Sequence, residues 1–313
     1  MFFCKQIKEK VYIRIMIELL NLQQQCLNLI QAYPECRQDC LLDSYCTSMG
    51  CTEGDCSRCL YQIQHGNPTF HYSCEKITYH YTLRFFNRFA SEISHLLNKF
   101  NYSTLTDLNV VSLGCGPGSE VYGIIKTLLL KRANTILHYE GHDLNNYWEN
   151  VQAMSKQCLE QLSHEVQFYT TDLFADFHGF TNNIINILIF NYLLSDAALF
   201  MTDVQKQRFI DDVAFFIIEN NVKNILFNDI NYYGDARRLN SGTQLMKLLI
   251  SKLRQQDIQI ESFYYCFPGD PYRGNEGWRW HRDNRNIFRI LEGNTYMDNV
   301  GCCNSKQIFV HIQ

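Results

Sequence analysis

The sequence predicts an α/β fold: a doubly wound, mostly parallel sheet of seven strands preceded by a helical, cysteine-rich module. Three observations predict it. Short apolar runs alternate with stretches of helical period through residues 101–313, as in a parallel sheet covered on both faces. One of those runs, Val110 to Leu113, feeds a turn with glycine at Gly114, Gly116 and Gly118. Half of the 14 cysteines are concentrated between residues 36 and 74. The predicted division is therefore an N-terminal module, 1–100, and a sheet domain, 101–313, with a long insertion at 268–305.

The elements follow in order. Val11 to Leu22 is apolar but interrupted by Arg14 and Glu18, without a cleavage site of small residues. It reads as neither a signal peptide nor a membrane span. Ile13, Ile17, Leu20 and Leu27 mark the expected buried face of a helix. A cytoplasmic protein is the expectation, and the Asn101-Tyr102-Ser103 sequon is then incidental. Net charge is −4, so no overall field draws the chain to nucleic acid.

The cysteine segment contains Cys36, Cys40, Cys46, Cys51, Cys56, Cys59 and Cys74, with His65 and His71 in the same span. It has little apolar material of its own and needs a staple. Zinc prefers four thiolate or imidazole ligands on short hooks, and Cys36-x3-Cys40 and Cys56-x2-Cys59 supply two. Zinc is the leading reading, in a structural role. Cys51-x4-Cys56-x2-Cys59, with Cys74 as a fourth ligand, also reproduces a plant-type iron–sulfur spacing. Disulfides and unliganded thiols are the remaining alternatives. Residues 77–100 then read as a helix whose apolar face is Tyr81, Phe85, Phe89, Ile93 and Leu96. Tyr79, His80, Tyr81 and Arg84 are placed to border a site on the sheet.

The first strand ends in Gly114-Cys115-Gly116-Pro117-Gly118-Ser119-Glu120. A dinucleotide turn prefers G-x-G-x-x-G, with pyrophosphate at the helix N-terminus. Here Ser119 takes the third glycine's place, and Glu120 adds an acid where an anion would sit. A helix to about Lys131 follows, with Val121, Ile124, Ile125 and Leu128 on one face. Ile136 to Asp143 is a strand ending in an acid, 25 residues after Gly118. Val166 to Tyr169 runs into Thr170-Thr171-Asp172. Ile184 to Phe190 is a continuous apolar strand ending in Asn191-Tyr192-Leu193-Leu194-Ser195-Asp196, which suits burial on both faces. Asn224 to Phe227 ends in Asn228-Asp229. Helical patterns at about 203–220 and 238–254, and strands at 258–266 and 307–312, complete the alternation.

The glycine turn and its downstream acids resemble motif I and the following strands of class I S-adenosylmethionine (SAM) dependent methyltransferases, over about residues 101–313. No subfamily is recognised. The resemblance implies a SAM methyltransferase sheet with Gly114, Gly116 and Gly118 under the amino-acid end of the cofactor. It implies Asp143 at the ribose hydroxyls and Asp172 beside the adenine amino group. It also implies that Asn191 and its neighbours face the methyl group. Asn191, Tyr192 and Asp196 are the catalytic candidates, with Asp229 a second choice as base or orienting acid. Aligning a nucleophile with an activated methyl group supplies much of the rate, and a base is needed only for a protonated acceptor. The proline-bearing motif of amino-methylating DNA enzymes is absent after Asn191.

The span 272–289 interleaves Arg273, Arg279, Arg282, Arg285 and Arg289 with Tyr272, Trp278, Trp280 and His281. Arginine among aromatics can pair phosphates and stack bases, or clamp an acidic peptide. By analogy with ribosomal RNA methyltransferases that carry a zinc element, a macromolecular acceptor is expected, RNA slightly ahead of protein. A small-molecule methyltransferase and a catalytically silent SAM-binding assembly module are the alternatives.

Overall fold

A computed structural model of the chain describes residues 2–32, 56–64, 72, 74–100, 105–131, 135–162, 164–173, 184–230, 241–267, 278–283, 288 and 302–313. Three helices come first: α1 (Phe2–Ala32), α2 (Cys56–Gln64) and α3 (Glu75–Leu97). The alternating part follows as β1 (Asp107–Leu113), α4 (Ser119–Leu130), β2 (Ile136–Asp143), α5 (Glu149–Leu159), β3 (Glu165–Thr170), β4 (Ile187–Asn191), α6 (Leu194–Phe200) and α7 (Asp203–Glu219). It closes with β5 (Asn224–Ile230), α8 (Gly242–Gln255), β6 (Ile260–Cys266), β7 (Arg279–Trp280) and β8 (Ser305–Ile312).

The strands form one sheet in the order β3-β2-β1-β4-β5-β8-β6-β7. β1 to β5 are mutually parallel, while β8 runs antiparallel between β5 and β6. The sheet therefore has eight strands among the described residues, not seven. The extra one is β7, a two-residue edge strand inside the long insertion, parallel to β6. Two residues carry no periodicity, so only the tertiary pairing reveals it.

Alternate strand residues feed two cores. Val110 and Ile187 face a layer that includes Leu19 and Leu22 of α1, Phe86 and Ile93 of α3, and Ile124 of α4. Val111 and Leu188 face α6, α7 and α8 through Ala197, Phe209, Val213 and Leu249. α1 and α3 thus pack as part of the sheet's own helical layer. The buried face of α1 is Leu19, Leu22, Cys26 and Ile30, while Ile13 and Ile17 are exposed. The helix is rotated by about one residue from the expected face. The apolar residues Leu19, Leu22 and Ile30 form a second stripe, and packing selects it.

α4 starts at the glycine turn. Gly114, Gly116 and Gly118 all have positive φ, at 67°, 50° and 75°. Gly118 is the N-cap of α4. A Cβ there would lie 2.7 Å from the Phe168 ring. A left-handed backbone and an overlapping ring both oppose any larger residue. Gly118→Ala is expected to lower stability by about 2 kcal/mol in denaturant titration; an unchanged midpoint would show that the turn tolerates a side chain.

Candidate cofactor site

The parallel order reverses between β1 and β4, and ligands of open α/β sheets bind in the crevice at such a switch point. A cavity of about 480 Å³ lies there. Gly114 and Gly116 form its floor, with Asp143 and Asn145 after β2 on one side. Asn191, Tyr192 and Asp196 after β4 stand on the other. Two carboxylates, Asp143 and Asp196, and six aromatic rings, Tyr72, Tyr81, Tyr147, Trp148, Tyr192 and Phe200, border it. Among the described residues that line it there is no lysine, arginine or histidine.

Asp143 organises the glycine turn. One carboxyl oxygen accepts from the Gly116 N–H at 2.8 Å and the other from the Asn145 N–H at 2.9 Å. A carboxylate has about four acceptor positions, so two remain for ligand hydroxyls. Burial pushes the Asp143 carboxyl up to about 6, although the two N–H donors favour its charged form. Beside it, the Asn145 side chain caps a turn of 3₁₀ helix by accepting from the Tyr147 N–H. That turn delivers Trp148, whose ring lies 3.7 Å from where a Gly116 Cβ would be. Gly116 therefore leaves room above the backbone. Gly114 does not, because a Cβ there would meet Leu193 at 2.7 Å.

Several sequence-predicted residues stand elsewhere. Gly118 is outside the lining and serves the α4 cap and Phe168. Asp172 is exposed and also outside the lining, whereas its neighbour Leu173 is in it. Glu120 does not face the cavity, contrary to the expectation that it opposes a bound anion. It is fully buried beneath the turn. There it accepts from the Ser112 hydroxyl at 2.5 Å, the Tyr139 hydroxyl at 2.7 Å and Asn191 Nδ2 at 3.3 Å. Of the α3 residues expected at the border, only Tyr81 lines the cavity. Tyr79 and His80 are buried in the packing of α3.

The residues after β4 differ in what they leave available. Asn191 directs Nδ2 inward to Ser119 and Glu120 and accepts from Asn228 Nδ2 at 2.9 Å. Tyr192 has φ +60°, rare for a bulky residue and found where surroundings over-determine the backbone. Its N–H donates to the Asn228 carbonyl at 2.8 Å, and its hydroxyl donates to Glu92 at 2.9 Å. Its ring stacks on Phe89 with centroids 3.8 Å apart. Burial raises its hydroxyl well above the usual tyrosine value, so it is no base. Asp229 accepts from the Ser195 N–H at 2.8 Å, behind the cavity wall, which removes it as a base for the ligand.

Asp196 is different. It sits in the first turn of α6 but is not the N-cap, which is Leu193. Its side chain reaches solvent within the cavity. Among the described residues it has no hydrogen bond or ion pair. Desolvation by the surrounding walls, then the charges of Asp229 and Asp143, push its carboxyl up to about 7.

The cysteines divide. Cys56, Cys59 and Cys74 are described, whereas Cys36, Cys40, Cys46 and Cys51 lie outside the described residues. Cys56 and Cys59 are buried on one face of α2 with Leu60, Ile63 and Ile77. Among the described residues no group of three or more His, Cys, Asp or Glu side chains could hold a metal. Ile63, one turn beyond Cys59, lines the cavity. Sequence reasoning missed it, along with Tyr72, Trp148 and Phe200. The Asn145–Trp148 turn was the available signal, a local cap directly after the β2 acid.

In the insertion, Trp278 and His281 are buried rather than presented. Trp278 packs against Tyr264, and His281 stacks on Phe267 and accepts or donates a 2.6 Å bond with Gln307. Arg279 and Arg282 are exposed. No described residue of the insertion lines the cavity. Arg273, Arg285 and Arg289 lie outside the described residues.

A glycine-floored cavity at the switch point of a doubly wound sheet is the place where open α/β folds bind their ligands. No family model and no curated protein matches the chain. Methyltransferases recur among the solved structures similar to it. A candidate RNA methyltransferase from Pyrococcus horikoshii is 11% identical, covers 72% of this chain and 83% of its own, and has a TM-score of 0.38. A human protein described as methyltransferase 10 domain containing is 9% identical over 72% of this chain and 81% of its own, with a TM-score of 0.38. Magnesium protoporphyrin IX methyltransferase from Synechocystis PCC 6803, with bound SAM, is 12% identical over 76% of this chain and 81% of its own, with a TM-score of 0.35.

The Asp196 environment has a measurable consequence. Its folded value near 7 lies above the unfolded 3.8, so the folded state holds the proton more tightly. Stability from this group is present at low pH and is lost as pH rises through that window. Asn cannot ionise. The melting temperature of Asp196→Asn minus that of the ligand-free wild type should grow from pH 4 to pH 7 and level off above. A difference that stays flat with pH would show that Asp196 is not desolvated.

Proposed function

We propose that the chain is a SAM-dependent methyltransferase. One observation carries this reading: the described lining of the switch-point cavity combines two carboxylates and six aromatic rings with no cationic side chain. A dinucleotide brings a pyrophosphate and calls for N–H groups or cations. A sulfonium cofactor brings positive charge, which aromatic faces and carboxylates attract. The residues present fit such a group. Asp143 has acceptor capacity left for ribose hydroxyls, Gly116 leaves the backbone open, and Trp148 and Leu173 offer flat apolar walls.

When bound, SAM supplies a methyl group activated by a positive sulfur. The chain's part is to hold, orient and dry the site. Asp143 fixes the turn and takes the ribose. Asn191, held by Glu120 and Asn228, forms a rigid wall at the β4 end. Tyr192, fixed by its backbone, hydroxyl and ring contacts, orients the acceptor. Asp196 is the one described cavity carboxylate without a protein partner.

A macromolecular acceptor remains a proposal, and the burial of Trp278 and His281 removes two of the stacking faces on which an RNA reading relied. Zinc in the cysteine segment is also a proposal, and metal analysis of the purified protein tests it. One zinc or more per chain would support it, and a metal-free folded protein would reject it.

Calorimetry or thermal shift with SAM and its demethylated product tests the main reading. Both should raise the melting temperature by several degrees. Asp143→Asn places an amide donor against a backbone N–H and should weaken cofactor binding at least tenfold. Absence of any shift in the wild type would remove the proposal, and an undiminished shift in the variant would remove the ribose assignment.

A further inference from the structure

We infer that Asp196 is the acceptor-side carboxylate of the site and that the acceptor it receives is an aliphatic amine, bound as an ammonium ion and deprotonated there. This inference rests on the SAM reading above and names the substrate class of the same cavity.

Placement comes first. In the sheet, β1 lies between β2 and β4, so the glycine turn lies between Asp143 and the Asn191–Asp196 segment. A ligand with its ribose on Asp143 and lying across Gly114 and Gly116 extends toward Asp196. The other polar groups on that side are already engaged. Asn191 spends both amide hydrogens on Ser119 and Glu120, and the Tyr192 hydroxyl donates to Glu92. Asp196 alone has neither hydrogen bond nor ion pair among the described residues, and it opens into the cavity. A carboxylate that is exposed into the cavity and has no protein partner is free to pair with a ligand there.

Charge then selects the partner. The described lining holds a second carboxylate, Asp143, and Asp229 lies behind the wall, close enough to act on Asp196. An acceptor bearing phosphate or carboxylate meets two carboxylates and no cation among the described lining residues. An ammonium ion meets a carboxylate in a wall rich in aromatic side chains, a setting that attracts cations. Proton affinity narrows it further. A carboxyl raised by its surroundings can take a proton from an alkylammonium of pKa about 10. It is far too weak for an aliphatic hydroxyl, whose proton is held about as tightly as that of water, with a pKa of about 16. A phenol has a suitable pKa, but giving its proton to Asp196 leaves a phenolate with no cation among the described lining residues to hold it.

The step balances. The ammonium gives one proton to a carboxylate oxygen of Asp196 and becomes a neutral amine. Its nitrogen lone pair forms the new C–N bond as the C–S bond breaks, and that bond's electron pair stays on sulfur. The sulfonium charge passes to the methylated ammonium product.

Two cofactor analogues test this without knowledge of the acceptor. S-adenosylhomocysteine has no group at the methyl position, whereas sinefungin carries an amine there. The wild type should bind sinefungin at least tenfold tighter than S-adenosylhomocysteine. Asp196→Asn should erase that preference while holding S-adenosylhomocysteine affinity within twofold, and Asp196→Glu should restore part of it. If Asp196→Asn weakens both analogues equally, Asp196 binds the cofactor's own amino group and the inference fails. If neither changes, Asp196 faces no ligand and the inference fails. If the wild type binds neither analogue, the SAM reading itself fails. Transfer of labelled methyl from SAM to free alkylamines, as against lysine-bearing peptides, then separates the two sources of an amine. Label entering a phenol or hydroxyl would overturn the assignment.

Discussion

The structure depends on one buried carboxylate, Glu120. It has no cation. Its charge is held instead by hydroxyl and amide donors from three strands: Ser112 of β1, Tyr139 of β2 and Asn191 of β4. Burial raises its carboxyl above the usual range while these donors pull the other way. Hydrogen bonds to a charged group contribute roughly 1.5–3 kcal/mol each, and removing the acceptor would strand three buried donors at once. The ends of three neighbouring strands are therefore locked at the level where the glycine turn begins. Register of the site is set beneath it rather than at its surface.

The lock continues across the sheet. Asn191 accepts from Asn228 of β5, whose Nδ2 also reaches Glu92 of α3 at 3.1 Å. Asn228 Oδ1 accepts from Ser305 and Gln307 of β8. Glu92 in turn accepts from the Asn304 N–H and the Tyr192 hydroxyl. Two buried acids thus bracket a chain of amides that runs from β2 to β8 and ends on the strained Tyr192. A polar network in a low-dielectric interior rigidifies when every member is satisfied. Here it holds a residue at φ +60° against the cavity, so the strain of Tyr192 is supported by contacts far from the ligand.

The legibility of these features follows from their physics. β4 is a continuous apolar run ending in Asn191, and β1, β2 and β5 each carry a shorter apolar stretch next to polar residues, a signature that survives in one dimension. The face of α1 is ambiguous in the sequence because its apolar residues form two stripes, and only tertiary packing chooses between them. For Glu120 the sequence gives the position in the turn but not the direction of the side chain, which is why its burial is not legible there. Glu92 was visible in principle: it is a charge on the apolar stripe Phe85, Phe89, Leu96, where a solvated acid does not belong. Asp143 and Asp196 fall in the cavity, whereas Asp172 does not, since one residue's shift after β3 turns Leu173 inward instead. The tryptophans of the insertion could not be assigned from composition, because arginine and aromatics describe a docked edge as well as a binding face.

The cysteine segment gains its meaning from Ile63. That residue lines the cavity, and one turn away Cys59 packs with Cys56, Leu60 and Ile77 in a small core that Tyr72, Cys74 and Tyr81 border. Tyr72 and Tyr81 are themselves cavity walls, meeting edge to face at 5.4 Å. So the described part of the segment, α2 with Tyr72 and Cys74, packs against residues that also line the cavity. Its packing and the ligand's enclosure share the same rings. A core of five buried residues is small, and whatever fixes α2 in place also fixes the wall of the cavity. Tyr72 and Tyr81 also pack on Trp148, at 5.8 and 5.2 Å between ring centroids, so α2 and the turn after β2 hold the same aromatic wall from two directions.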